Sequence, residues 1–212
     1  RGPVLKADRD GARATLAEQG AWQFNLSAAL SPPLDAADNP ARLGMPRLAA
    51  AGEIGPDLVW RLSGTGSQGL ALHWPLRAAV TLQRDPQAIG WVSTPHLQWN
   101  GTLGDGWRVG LRGGAMWASQ RYNAYYYGVA PSRASASRPA YAAPGGCGGL
   151  QALASLSRRF DRLWVGAYVQ ADSLRGSVVA DSPLVRREQG LSLGVGMAWV
   201  FASSTQRVSA GD

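Results

Sequence analysis

A single cysteine, Cys147, stands in a Gly-rich stretch of this 212-residue chain, so no internal disulfide can form. Its thiol reads as buried or simply tolerated. No apolar run approaches the roughly 20 residues that a transmembrane helix needs. Although the net charge is +7 and the pI near 10.3, the arginines are scattered, with no Lys/Arg-rich block and no recognition motif. That argues against nucleic acid as a partner, while basic loops suit anionic lipid head groups or lipopolysaccharide. Gly145, Gly146, Gly148 and Gly149 lack the Lys and the strand-to-helix context of a phosphate-binding loop. Serines are many, but no spacing singles out a nucleophile with its base. Neither catalysis nor a cofactor is expected. The chain opens on Arg1 without a Met or a signal-peptide pattern, and so reads as a processed or truncated product.

Glycine and tryptophan are abundant: 27 and 9 residues. Glycine suits tight turns and crowded strand faces, and tryptophan suits a membrane–water interface. Apolar residues recur at every second position, the pattern of a strand with one greasy face. Leu191, Leu193, Val195, Met197, Trp199 and Phe201 alternate with Gly190, Ser192, Gly194, Gly196 and Ala198. Segments 21–30, 54–62, 70–82, 107–117 and 163–171 repeat the pattern. Several exceed the 5–6 residues usual in soluble strands and reach the roughly 9–11 of membrane strands.

Strands are expected near 3–8, 11–17, 21–30, 53–63, 69–83, 88–100, 106–118, 149–158, 162–172 and 190–201. With the last strand ending in the periplasm, the connections on that side (18–20, 64–68, 101–105, 159–161) are short. The outer ones include 31–52, 119–148 and 173–189. Bacterial barrels segregate their loops in this way. The expected fold is therefore all-β: an antiparallel transmembrane β-barrel of about ten visible strands over residues 1–201, followed by a polar tail, 202–212. With one missing N-terminal hairpin the complete protein would have twelve.

Parity turns Asp57, Arg61, His73, Arg77, His96, Gln98, Arg108 and Arg112 inward. Pairing 69–83 with 88–100 through the turn Arg84-Asp85-Pro86-Gln87 sets His73 opposite Gln98 and His96 on the diagonal. Two histidines and one carboxylate make a poor metal set. An interior ion network, which buried charges require, is the expectation, with no metal. Tyr122, Tyr125, Tyr126 and Tyr127 are expected to pack loop 119–148 over the barrel mouth or to anchor it at the membrane interface, ahead of serving as a ligand-stacking platform.

Three loop motifs carry a family resemblance. Asn39-Pro-Ala-Arg-Leu-Gly-Met-Pro-Arg-Leu48 includes Arg42, Gly44, Met45 and Pro46. Tyr126-Tyr127-Gly128-Val-Ala-Pro131 is followed by Pro139-Ala-Tyr141. Asp181-Ser182-Pro183-Leu-Val-Arg186 precedes the last strand. In this order they resemble the motifs of the MipA/OmpV family of MltA-interacting outer-membrane proteins. Arg47 departs from the family's Asp, stretch 133–138 is looser, and the polar tail stands where family barrels end on an aromatic residue. The resemblance implies a non-enzymatic barrel in the outer membrane of a Gram-negative bacterium, among lipid and lipopolysaccharide. It also implies a scaffold joining a lytic transglycosylase to a peptidoglycan synthase, although the motif-bearing loops face away from the murein. The rival reading is a small anion-favouring pore or solute-binding barrel.

Overall fold

A computed structural model describes residues 5–8, 11–35, 39–65 and 68–201. The expected tail, 202–212, lies outside them. Eleven strands form one antiparallel sheet: β1 (Leu5–Asp8), β2 (Gly11–Gln19), β3 (Trp22–Ser31), β4 (Ala51–Ser63), β5 (Gly69–Thr81), β6 (Ala88–Ser93), β7 (His96–Leu103), β8 (Trp107–Ala118), β9 (Gly146–Phe160), β10 (Leu163–Ser173) and β11 (Gln189–Trp199). Neighbours in sequence pair in space, except that β6 and β7 share one position between β5 and β8. Ten positions result, in an uninterrupted meander. Among the described residues, β1 pairs only with β2 and β11 only with β10.

The alternation places most large apolar residues of these strands on one face, with Val59 and Trp164 among the exceptions that turn inward. That face is exposed: Leu193 is 73% and Val195 90% accessible, and Trp74, Leu76 and Met197 stand out beside them. Exposed apolar area on this scale marks a surface meant for something other than water. No helix among the described residues is long and apolar enough to cross a membrane. The polar face turns inward because the sheet curls. Arg13 on β2 reaches His73 on β5 at 3.0 Å, across three interstrand steps of about 4.8 Å each in a flat sheet. Connection 32–50, which follows β3, likewise meets connection 174–188, which follows β10, where the Asn39 amide donates to Leu184 O (3.5 Å). The result is barrel-like.

Long connections lie at one end (32–50, 119–145, 174–188) and tight turns at the other (20–21, 64–68, 104–106, 161–162). The long 119–145 connection contains a helix, α1 (Gln120–Tyr127), capped by the Ser119 hydroxyl accepting from Tyr122 N.

Two expectations around β5 are corrected. The stretch 88–100 is not one strand, because it breaks at Thr94-Pro95 and resumes to Leu103. Proline has no N–H for the ladder. Pro95 O instead accepts from Ala115 N (3.1 Å), and the chains come so close that a Cβ on Gly114 would lie 2.4 Å from that oxygen. The expected four-residue turn 84–87 is also too tight. Thr81 N donates to Gln87 O and Gln87 N to the Thr81 hydroxyl, both at 2.9 Å. That closes a longer loop, followed by a register shift at Ala79/Val80. The pairing moves by two residues, so His73 faces His96, and Gln98 faces Ala71.

Candidate functional site

On the inner face, one chain of side chains crosses five strands. Arg61 is ion-paired with Glu18 and donates to Gln23 Oε1 (3.0 Å). The Gln23 amide donates to Thr15 Oγ1 (3.0 Å) and Asn25 Oδ1 (2.7 Å), and Asn25 in turn donates to Asp57 Oδ2 (3.2 Å). That carboxylate also faces Arg13 at 3.8 Å. A guanidinium can only donate, so His73 Nδ1 accepts from Arg13 and carries its proton on Nε2. The His73 and His96 rings stack, 4.9 Å apart and 4° from parallel. His96 Nδ1 in turn donates to Thr94 O at 2.8 Å.

A second chain runs nearer the long connections. Arg77 donates to Ser27 Oγ (3.0 Å) and faces Glu53 at 3.7 Å. Glu53 also accepts from Tyr122 OH of α1 at 2.8 Å. Each of three inner arginines thus has its own acid. Burial, with Glu53 adding to it, pushes the Tyr122 hydroxyl far above the usual tyrosine range, so it stays a donor.

Tyr122 packs against Ala51, Ala79, Ile89, Val92 and Ala118 of the surrounding strands. Helix α1 therefore fills the end of the curled sheet. Gly90 lets it approach: a Cβ there would lie 2.2 Å from Ser119 Oγ.

Around α1 the three long connections lock together. Arg42 is 3% exposed, and it donates to Tyr126 O (3.3 Å) and Pro46 O (3.4 Å). Burial lowers its pKa. Arg138 donates to Ala41 O (3.1 Å) and Leu43 O (2.7 Å). Ser182, itself buried, donates to Tyr127 O (2.7 Å) and accepts from Leu184 N. Gly44 takes the turn after Arg42 at φ +77°, and Met45 N donates to Arg42 O (2.9 Å). Gly128 ends α1 by donating to Ala124 O. Tyr141, close to Asp181, donates to Val178 O (2.9 Å). Tyr125 OH donates to Ala49 O (3.0 Å).

Of the residues singled out from sequence, Asp57, Arg61, His73, Arg77 and His96 belong to these two chains. Gln98 lies beside them, bonded weakly to Asn100 (3.4 Å) and opposite Arg112 on β8. Arg108 is exposed between Thr102 and Ser157 and joins neither. The loop residues Asn39 to Pro46, Tyr126 to Gly128 and Asp181 to Arg186 converge in the cap. Sequence reasoning missed Arg13, Glu18 and Glu53 as members. Their signal was available, because Arg13 and Glu53 share the parity of the polar positions on their strands.

The sequence model of the family described as MltA-interacting protein MipA matches residues 2–201. No curated protein and no solved structure matches the chain.

Proposed function

The chain belongs to the MltA-interacting protein MipA family, and on that footing we propose that it is a non-enzymatic outer-membrane scaffold that works through its surfaces and not through its interior. The observation that carries this is the inner face of β2–β5, where the charges are spent on one another. Arginines there are matched by Glu18, Asp57 and Glu53, and α1 occupies the end beneath the long connections. A wall whose interior is spent on its own hydrogen bonds leaves two ends and an apolar belt for contacts with other molecules.

The partners are a lytic transglycosylase, as the family's name implies, and a peptidoglycan synthase held beside it. The long connections then face outward and the tight turns face the murein, where Asp105, Asp161 and Arg162 stand at the tips. Capture of a purified MltA-type transglycosylase by the full chain in lipid nanodiscs is the test. Binding that is lost on changing Asp161 and Arg162 together supports the reading; no capture at micromolar concentration overturns it. The anion-favouring pore makes the opposite demand in planar bilayers. Stable anion-selective conductance steps would replace the scaffold reading with that one.

A further inference from the structure

The outer face of the sheet is not uniformly convex. Gly113 on β8, Ala152 on β9 and Ala171 on β10 are successive register partners on the outward side. A Cβ on Gly113 would meet nothing within 4 Å. Bulky outward neighbours, Leu97, Leu111, Trp117, Leu150 and Leu191 among them, stand around this low floor. The depression measures about 910 Å³. It continues into a second of about 430 Å³ over the same floor residues.

One end of the groove is polar. It stops at Ser173 and Gln189, the residues that bound connection 174–188. That connection carries Arg175, Arg186 and Arg187 against Asp181 and Glu188, and the neighbouring 119–145 carries Arg121, Arg133 and Arg138 and no acid. Arg175 is held by Glu188 at 3.8 Å; among the described residues no ion pair engages Arg186 or Arg187. The tight turns at the opposite end carry only Asp105, Asp161 and Arg162. Positive charge therefore collects at the end where the groove opens. It is arginine charge throughout, and the guanidinium fork matches a phosphate in two-point contact.

We propose that this groove holds an acyl chain of lipid A, the phosphorylated glycolipid of the outer leaflet, with a lipid A phosphate at Arg186 and Arg187. The site rests on the outer-membrane reading, with the long connections outside. An apolar trough ending at a cationic rim fits a phosphorylated lipid along its length, whereas a second copy of the chain would set the same arginines near each other.

The full chain in nanodiscs containing diphosphoryl lipid A, phosphatidylethanolamine and phosphatidylglycerol, followed by native mass spectrometry, reads out the lipid it keeps. The expected result is one lipid A retained in preference to either glycerophospholipid. Gly113→Leu fills the floor from a position where an added Cβ meets nothing within 4 Å, and lowers retention about tenfold. Ala152→Leu does the same from the adjacent strand and stands in if the first variant loses its β-sheet circular dichroism. Exchanging both Arg186 and Arg187 for Gln removes the preference for the diphosphoryl over the dephosphorylated form. Equal retention of lipid A and phosphatidylglycerol, indifference to both groove variants, or crosslinking of two copies through Gly113→Cys overturns the proposal. Surface labelling of Arg133→Cys on intact cells judges the orientation separately. Labelling only after the outer membrane is opened would overturn the outward placing of the long connections, while retention in nanodiscs still judges the groove.

Discussion

The inner face of β2–β5 and the inner face of β9–β11 solve the same problem differently. In the first, Arg13, Asp57, Arg61, Glu53 and Arg77 tie strands together through charge. In the second, the inward positions include Ser155, Ser157, Gly166, Gly194 and Gly196, and aromatic rings lie over the glycines. A Cβ on Gly166 would meet the Trp164 ring at 2.4 Å, and one on Gly194 the Tyr168 ring at 2.2 Å. The one acid there, Asp172, is bonded to Gln170 of its own strand (2.9 Å). The Arg13–Asp57 and Arg61–Glu18 pairs span β2 to β4, and the Arg13–His73 hydrogen bond spans β2 to β5, so these contacts hold the sheet in a curve. Ring-over-glycine contacts act between neighbours, and β11 stays accessible along nearly its whole length.

The largest test of this contrast is a pair of substitutions. Asp57 is 2% exposed, and Asp57→Ala takes away both the acceptor of Asn25 and the buried carboxylate that faces the half-buried Arg13, a loss of about 3 kcal/mol. Asp172→Ala removes one side-chain bond at a less buried site and costs about 1 kcal/mol. Urea unfolding of the full chain in lipid vesicles separates them, and equal costs would erase the distinction between the two halves.

An intermediate effect is expected where the cap meets the charged half. Tyr122→Phe deletes the bond to Glu53 and costs about 1.5 kcal/mol, read as a lower unfolding midpoint. The same contact predicts an alkaline limit. Burial raises the pKa of Tyr122, Tyr125, Tyr126 and Tyr127, so the folded cap keeps protons that an unfolded chain releases near pH 10. Their contribution is intact below that pH and declines as pH rises above it. Tyrosinate absorbance should appear together with loss of the cap's protease resistance, and a simple titration near pH 10 with the cap intact would contradict the burial. Smallest is Gly194→Ala, where the far edge of the Tyr168 ring can swing aside at a cost of about 1 kcal/mol or less. A cost as large as that of Asp57→Ala would mean that the ring-over-glycine contacts are as rigid as the ion pairs.

The strands were legible because alternation is a property of the local backbone. Segment 190–201 shows its two faces without reference to any partner, and the inward positions of Asp57, Arg61 and Arg77 followed from the same parity. The motif loops were legible only as patterns. Nothing local in Asn39 to Pro46 says that Arg42 is buried against Tyr126, 84 residues away. Arg13 went unnoticed for the same reason, since its partner His73 is 60 residues on.

Sequence alone therefore determined the two faces, the run of strands and the placing of long and short connections at opposite ends, because each depends on residues close together along the chain. Tertiary structure decided which inner groups pair. One loop closed at Thr81 and Gln87 slid a register by two residues and stacked His73 on His96, where the expected turn at 84–87 had set Gln98. Curvature then brought β2 to β5, and the connection after β3 to the one after β10. Parity tells a side chain which face it occupies; only register and curvature tell it whom it meets there.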